Sequence, residues 1–68
     1  MNEAAIAAIK DSYANAIDNA YRYSVAFGGK DGVPSGLMRT IESLRSALRE
    51  AGVPEQRLYD RYDPTRWA

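Results

Sequence analysis

The chain contains no cysteine and no histidine. It therefore has no disulfides, no thiol nucleophile and none of the usual zinc ligand sets. The most common general acid–base side chain is also missing. There is no excess of either charge: nine basic residues balance nine acidic ones. A balanced surface has little drive to bind a phosphate backbone, so nucleic acid is not an expected partner. No apolar run approaches the roughly 18 residues of a membrane span, so no membrane partner is expected. The start, Met1-Asn2-Glu3-Ala4, has neither the basic region nor the long apolar region of a signal peptide. The expected location is the cytoplasm.

The third scarcity is size. At 68 residues the chain is one domain at most, and it buries a smaller fraction of its surface than larger domains do. Ordering costs roughly 1.5 kcal/mol per residue, and one small core barely offsets that. With disulfides and metals excluded, self-association or a partner protein is the remaining common source of stability.

What is present is helical periodicity. Ile6, Ile9, Tyr13, Ala16, Ala20, Tyr23 and Phe27 recur at spacings of three and four, which predicts one long helix over 3–27. Asn2 fits its N-cap, with Glu3 in the first turn to meet the helix dipole. Residues 28–34, Gly-Gly-Lys-Asp-Gly-Val-Pro, form a strong stop, with Gly28 suited to a left-handed C-terminal position. Leu37, Ile41, Leu44, Leu48 and Ala51 predict a second helix over about 35–51, entered by Pro34 in its first turn or by Ser35 as N-cap. Gly52-Val53-Pro54 ends it. A short third helix from Pro54 to Tyr62 and a turn at Asp63-Pro64 complete the reading. The fold class is all-α: an antiparallel two-helix hairpin with a short C-terminal helix or tail packing back, expected to be oligomeric. Helix 1 is longer than helix 2. Its first two turns are therefore expected to be covered by Leu58, Tyr59, Tyr62 and Trp67, packed over Ile6 and Ile9.

Four features are candidates for function, each with a plainer alternative. A second apolar stripe on helix 1, Ala7, Ala14, Tyr21 and then Val25, widens its apolar arc to roughly 200°, more than one partner helix needs. It is expected to hold a second copy or a target; the plainer reading is alanine tolerated on a surface. The row Met38, Glu42, Arg45 and Arg49 reads either as an adaptable contact surface or as an ordinary solvated face. Lys30, Ser35, Arg39 and Thr40 near the start of helix 2 can attract an anion, or simply make a capped turn. Trp67 in the aromatic and arginine-rich tail is a core lid or a protein-binding anchor.

Catalysis has almost nothing to use. Asp11 and Asp18, seven residues apart, fall on a polar face that offers no arrangement for general acid–base work. No enzyme activity, cofactor or metal is expected. The leading expectation is a protein-binding module, a small regulator, inhibitor or subunit, acting through Ala7, Ala14, Tyr21 and Val25, with Met38, Arg45, Arg49 and Trp67 as secondary contacts. Its size and style are those common among phage and mobile-element inhibitors, so a phage-encoded inhibitor is one expectation. The alternatives are an oligomeric hairpin binding a small anion such as a nucleotide through Lys30, Ser35, Arg39 and Thr40, and a purely structural subunit.

Overall fold

The computed structural model describes residues 2–54 and 57–67, apart from the side chain of Leu58. Among these residues the chain is all-helical, with two α-helices packed together. Helix α1 spans Glu3–Phe27. Its 25 residues give a rod of roughly 38 Å at 1.5 Å per residue, which matches the 38 Å longest dimension of the molecule. Helix α2, Ser35–Glu50, adds nothing to that length. It therefore folds back antiparallel along α1.

The caps explain the boundaries. The Asn2 side chain accepts a 2.8 Å bond from the Ala5 amide, satisfying one of the free N–H groups of the first turn. At the other end Gly28 takes φ 91°, and its amide and that of Gly29 both donate to the Ser24 carbonyl. A residue with a Cβ is strained in that left-handed conformation. Helix α2 closes in the same way. The Gly52 amide donates to the Arg49 carbonyl and the Val53 amide to that of Leu48, each at 3.0 Å. This is the Schellman pattern, in which the apolar residue after the glycine folds back onto the helix. Val53 accordingly packs against the core.

The start of α2 differs from both expected arrangements. Pro34 is the capping residue rather than a first-turn residue, with an extended ψ of 137°. Its carbonyl accepts from the Leu37 and Met38 amides, and no side chain caps this end.

The core joins Tyr13, Ala16, Ile17 and Ala20 of α1 to Ile41 and Leu48 of α2, with Val33 from the connection. Ala16 and Ala20 are small enough to let the two helices approach closely. Ile6, Ile9, Leu37 and Leu44 pack around this centre, and so does Met38.

Beyond Gly52, where the sequence predicts a short third helix or a returning tail, the described residues form two 3-10 segments, Arg57–Tyr62 and Pro64–Arg66. These run along the hairpin. Tyr59 meets Tyr13 edge-on at 6.0 Å, Tyr62 meets Tyr21 edge-on at 4.9 Å, and the Trp67 carbonyl accepts from Lys30 Nζ at 3.4 Å. The tail thus travels from the middle of α1 toward the interhelical connection. Its ring contacts fall at Tyr13 and Tyr21, and Tyr59 packs against the same core as Ile6 and Ile9. The expected contact of Leu58 lies outside the described side chains.

Candidate functional site

The level of the tail along the hairpin is set by a buried carboxylate. Asp63 is completely buried, and a lone ionised carboxylate in that position would be very costly. It is not alone. Arg45 Nη2 donates to Asp63 Oδ2, and also to Thr65 Oγ1 at 2.8 Å. The Thr65 amide and hydroxyl both donate to Asp63 Oδ1, at 2.9 and 2.7 Å. Asp63 thereby caps the second 3-10 segment while it anchors the tail to the middle of α2. Arg66 Nε lies 3.2 Å from Asp60 and 3.7 Å from Asp63. The Arg45 guanidinium also stands 6.0 Å from the centre of the Tyr13 ring.

This arrangement revises two sequence expectations. Arg45 is not on a solvated outer row, because its side chain is largely enclosed and committed to Asp63. Met38 is not an exposed contact either, since it packs against the core. At about 100° per residue, both lie on the flank of α2 that turns toward the tail. Arg49, further round, is exposed.

The second stripe of α1 is divided between inside and outside. Tyr21 is half-buried under Tyr62, and Ala14 is half-buried. Ala7 is exposed, and Val25 is 69% exposed. The chain's own tail therefore covers part of the surplus apolar arc that predicted a partner. Trp67, half-buried at the end of the tail, lies beside Lys30.

Among the described residues, the large hydrophobic side chains that remain open are Tyr23, Val25, Phe27 and Tyr62. Three of the four fall within the last five residues of α1. Tyr23 and Phe27 continue the core stripe, but α2 begins only after the connection of residues 28–34. The connection also passes very tightly. A Cβ on Gly32 would stand 2.7 Å from the Phe27 Cβ and carbonyl oxygen, so the backbone seals the base of Phe27 and leaves its ring outside. The two rings associate, with centres 5.8 Å apart. Val25 and Tyr62 lie on the opposite flank. Together the four side chains form an apolar collar at the connection end of the hairpin.

Sequence reasoning assigned Tyr23 and Phe27 to the core and placed the uncovered stretch at the other end of α1. The available signal was the seven-residue gap between Phe27 and Ser35, which removes cover from the last turn of α1. The Arg45–Asp63 pair was also missed. Its signal was local: Asp63-Pro64-Thr65 is a capping sequence, and Arg45 is the one charged residue flanking the Leu44 and Leu48 stripe on that side.

Of the residues expected to hold an anion, two already donate to carbonyls of the chain itself. Lys30 reaches the tail, and the Thr40 hydroxyl donates to the Gly36 carbonyl of its own helix at 3.0 Å. Ser35 and Arg39 are exposed. Arg39 lines a shallow groove on the outer face of α2 with Glu42, Ser43, Ser46, Ala47 and Glu50, where carboxylates outnumber cations.

Among the described residues no helix is long and apolar enough to cross a membrane. The fold and the site define a helical hairpin whose groove is closed by its own C-terminal tail, with an apolar collar left open at one end. Comparison with protein-family models, curated proteins and solved structures finds no match to this chain.

Proposed function

We propose that this chain is a non-enzymatic protein-binding module, a small regulator, inhibitor or subunit, that docks through the collar of Tyr23, Val25, Phe27 and Tyr62. One observation carries the reading. A chain that seals a carboxylate and at least partly covers most of its large aliphatic side chains leaves Val25 and Phe27 69% and 67% exposed, with Tyr23 and Tyr62 also open. Open apolar side chains gathered at one end of a hairpin, here on both of its flanks, are a usual mark of a binding surface.

The size of the patch fits a docking anchor better than an obligate dimer seam. Its aromatics expose roughly 300 Å² together, taking about 200 Å² for a whole ring side chain. A stable interface buries about 800 Å² per partner. The collar would therefore form the apolar centre, with polar neighbours such as Arg22 and Arg61 as its rim. A rigid helix end also loses little entropy when it docks. Self-association through the same collar is a special case of this reading.

The test is capture from native host extract, comparing wild type with Val25→Lys/Phe27→Lys. Lysine in the last turn suits the helix dipole, and that turn now carries no basic residue, so the fold is retained. The variant should lose a partner that wild type captures. Equal capture by both would refute the collar.

A further inference from the structure

The hairpin has two broad faces, and the tail covers only one. Tyr21 under Tyr62, and Arg45 bound to Asp63, mark the covered side. At about 100° per residue, the opposite face is made by Ser12, Asn15, Asn19 and Tyr23 of α1 beside Thr40 and Ser43 of α2, all exposed. Between the two rows run Leu37, Leu44 and Ala47, all half-buried.

Among the described residues, this face carries no charge along either helix. On α1 the charges begin beyond Asn15, with Asp11, Asp18 and Arg22. On α2 they begin beyond Ser43, with Arg39 and Glu50. Charged residues make up 26% of the chain, and an exposed helix face is where they normally go. Depletion of charge is what marks the centre of an interface against ordinary surface.

Three observations select a second copy of the chain as the occupant. The polar side chains of this face are serine, threonine and asparagine, and each both donates and accepts hydrogen bonds. Any of them can therefore pair with its own counterpart across a two-fold axis, where a charged side chain would meet its like. The chain has a net charge of zero, so it lacks the repulsion that keeps copies of a protein apart. The extent also fits. The molecule measures 38 by 18 Å, so one broad face offers roughly 700 Å², close to the 800 Å² or so that each partner buries in a stable interface.

We propose that the tail-free face binds a second copy of this chain, giving a two-fold four-helix bundle with both tails on its outside. This face shares only Tyr23 with the docking collar, whose Val25 and Tyr62 lie on the opposite flank. The dimer therefore stands or falls apart from capture through the collar.

The test is sedimentation equilibrium of the full chain from about 1 µM to about 1 mM. Wild type is expected to pass from monomer to dimer and no further. Asn19→Glu keeps a good helix former but sets a carboxylate against its own counterpart, and should weaken dimerisation at least about tenfold. Lys10→Glu, a larger change of charge at an exposed position outside this face, should leave it within about twofold. Far-UV circular dichroism checks that the helices are retained. If Asn19→Glu loses them, Thr40→Glu places the same charge on the other helix and should weaken dimerisation equally. Wild type that stays monomeric at the highest concentration would overturn the proposal, as would growth into an open series of larger species. Dimerisation untouched by the face variants, or weakened as much by Lys10→Glu, would overturn it as well.

Discussion

Replacing Arg45 with alanine leaves the Asp63 carboxylate in a fully buried position without its guanidinium partner. Breaking a buried pair from one side costs about 3–5 kcal/mol. The low end applies here, because the Thr65 amide and hydroxyl continue to donate to Asp63. The expected loss is therefore about 3 kcal/mol. For a domain of this length that is a large part of a total stability of roughly 3–10 kcal/mol. At about 4–8 °C per kcal/mol, the midpoint should fall by roughly 12–24 °C. The loss has a ceiling, since Asp63 regains water if the tail lifts off. Arg45→Ala is then expected to keep its α-helical signal while the tail detaches. Far-UV circular dichroism follows the helices, Trp67 fluorescence follows the tail, and trypsin cleavage after Arg57 and Arg61 reports release. Arg45→Met/Asp63→Leu removes both charges and should recover part of the loss, because an apolar pair commonly replaces a buried ion pair without penalty, while the Thr65 amide and hydroxyl lose their acceptor. A loss under about 0.5 kcal/mol for Arg45→Ala, the range of an exposed pair, with Trp67 emission unchanged, would refute the anchoring role.

Other perturbations follow from the same geometry. Gly32→Ala forces a Cβ to within 2.7 Å of Phe27, and should cost about 1–3 kcal/mol by urea titration; a neutral result would show that the connection relaxes freely. Ile41→Ala empties a fully buried position between the helices, with an expected cost of about 2–5 kcal/mol in the same assay. Asn2→Ala removes the bond to the Ala5 amide and should lower stability by about 1 kcal/mol, visible as faster amide exchange in the first turn of α1. Val25→Lys/Phe27→Lys should leave the melting midpoint nearly unchanged, since exposed substitutions usually stay within about 0.5 kcal/mol.

The helices were legible because their signals are local. Asn2 caps the first turn, Gly28 and Gly52 take the left-handed closing conformation, and the aliphatic stripe of α2 repeats at helical spacing. The tail was not legible for the opposite reason. Its 3-10 turns lack the 3.6-residue pattern, and its position depends on Arg45 meeting Asp63 18 positions away. That single long-range contact changes several readings. It takes Arg45 off the surface, turns the flank holding Met38 inward, and lays Tyr62 over Tyr21. The surplus apolar stripe was real in the sequence, yet a pattern on one helix does not tell a partner from the same chain returning. The collar emerges only by subtraction, once Ala14 and Tyr21 are partly covered and Tyr23 and Phe27 are not.

The most direct test is an isotope-filtered NOE experiment on an equal mixture of labelled and unlabelled full-length chain. The central claim is that each chain closes its own groove. Ring-to-ring contacts of Tyr59 with Tyr13 and Tyr62 with Tyr21, 6.0 and 4.9 Å between centres, should appear only within one labelled molecule. Contacts between labelled and unlabelled molecules would mean that the tail closes a neighbour's groove, and absence of both would mean that Tyr21 is open to a partner after all.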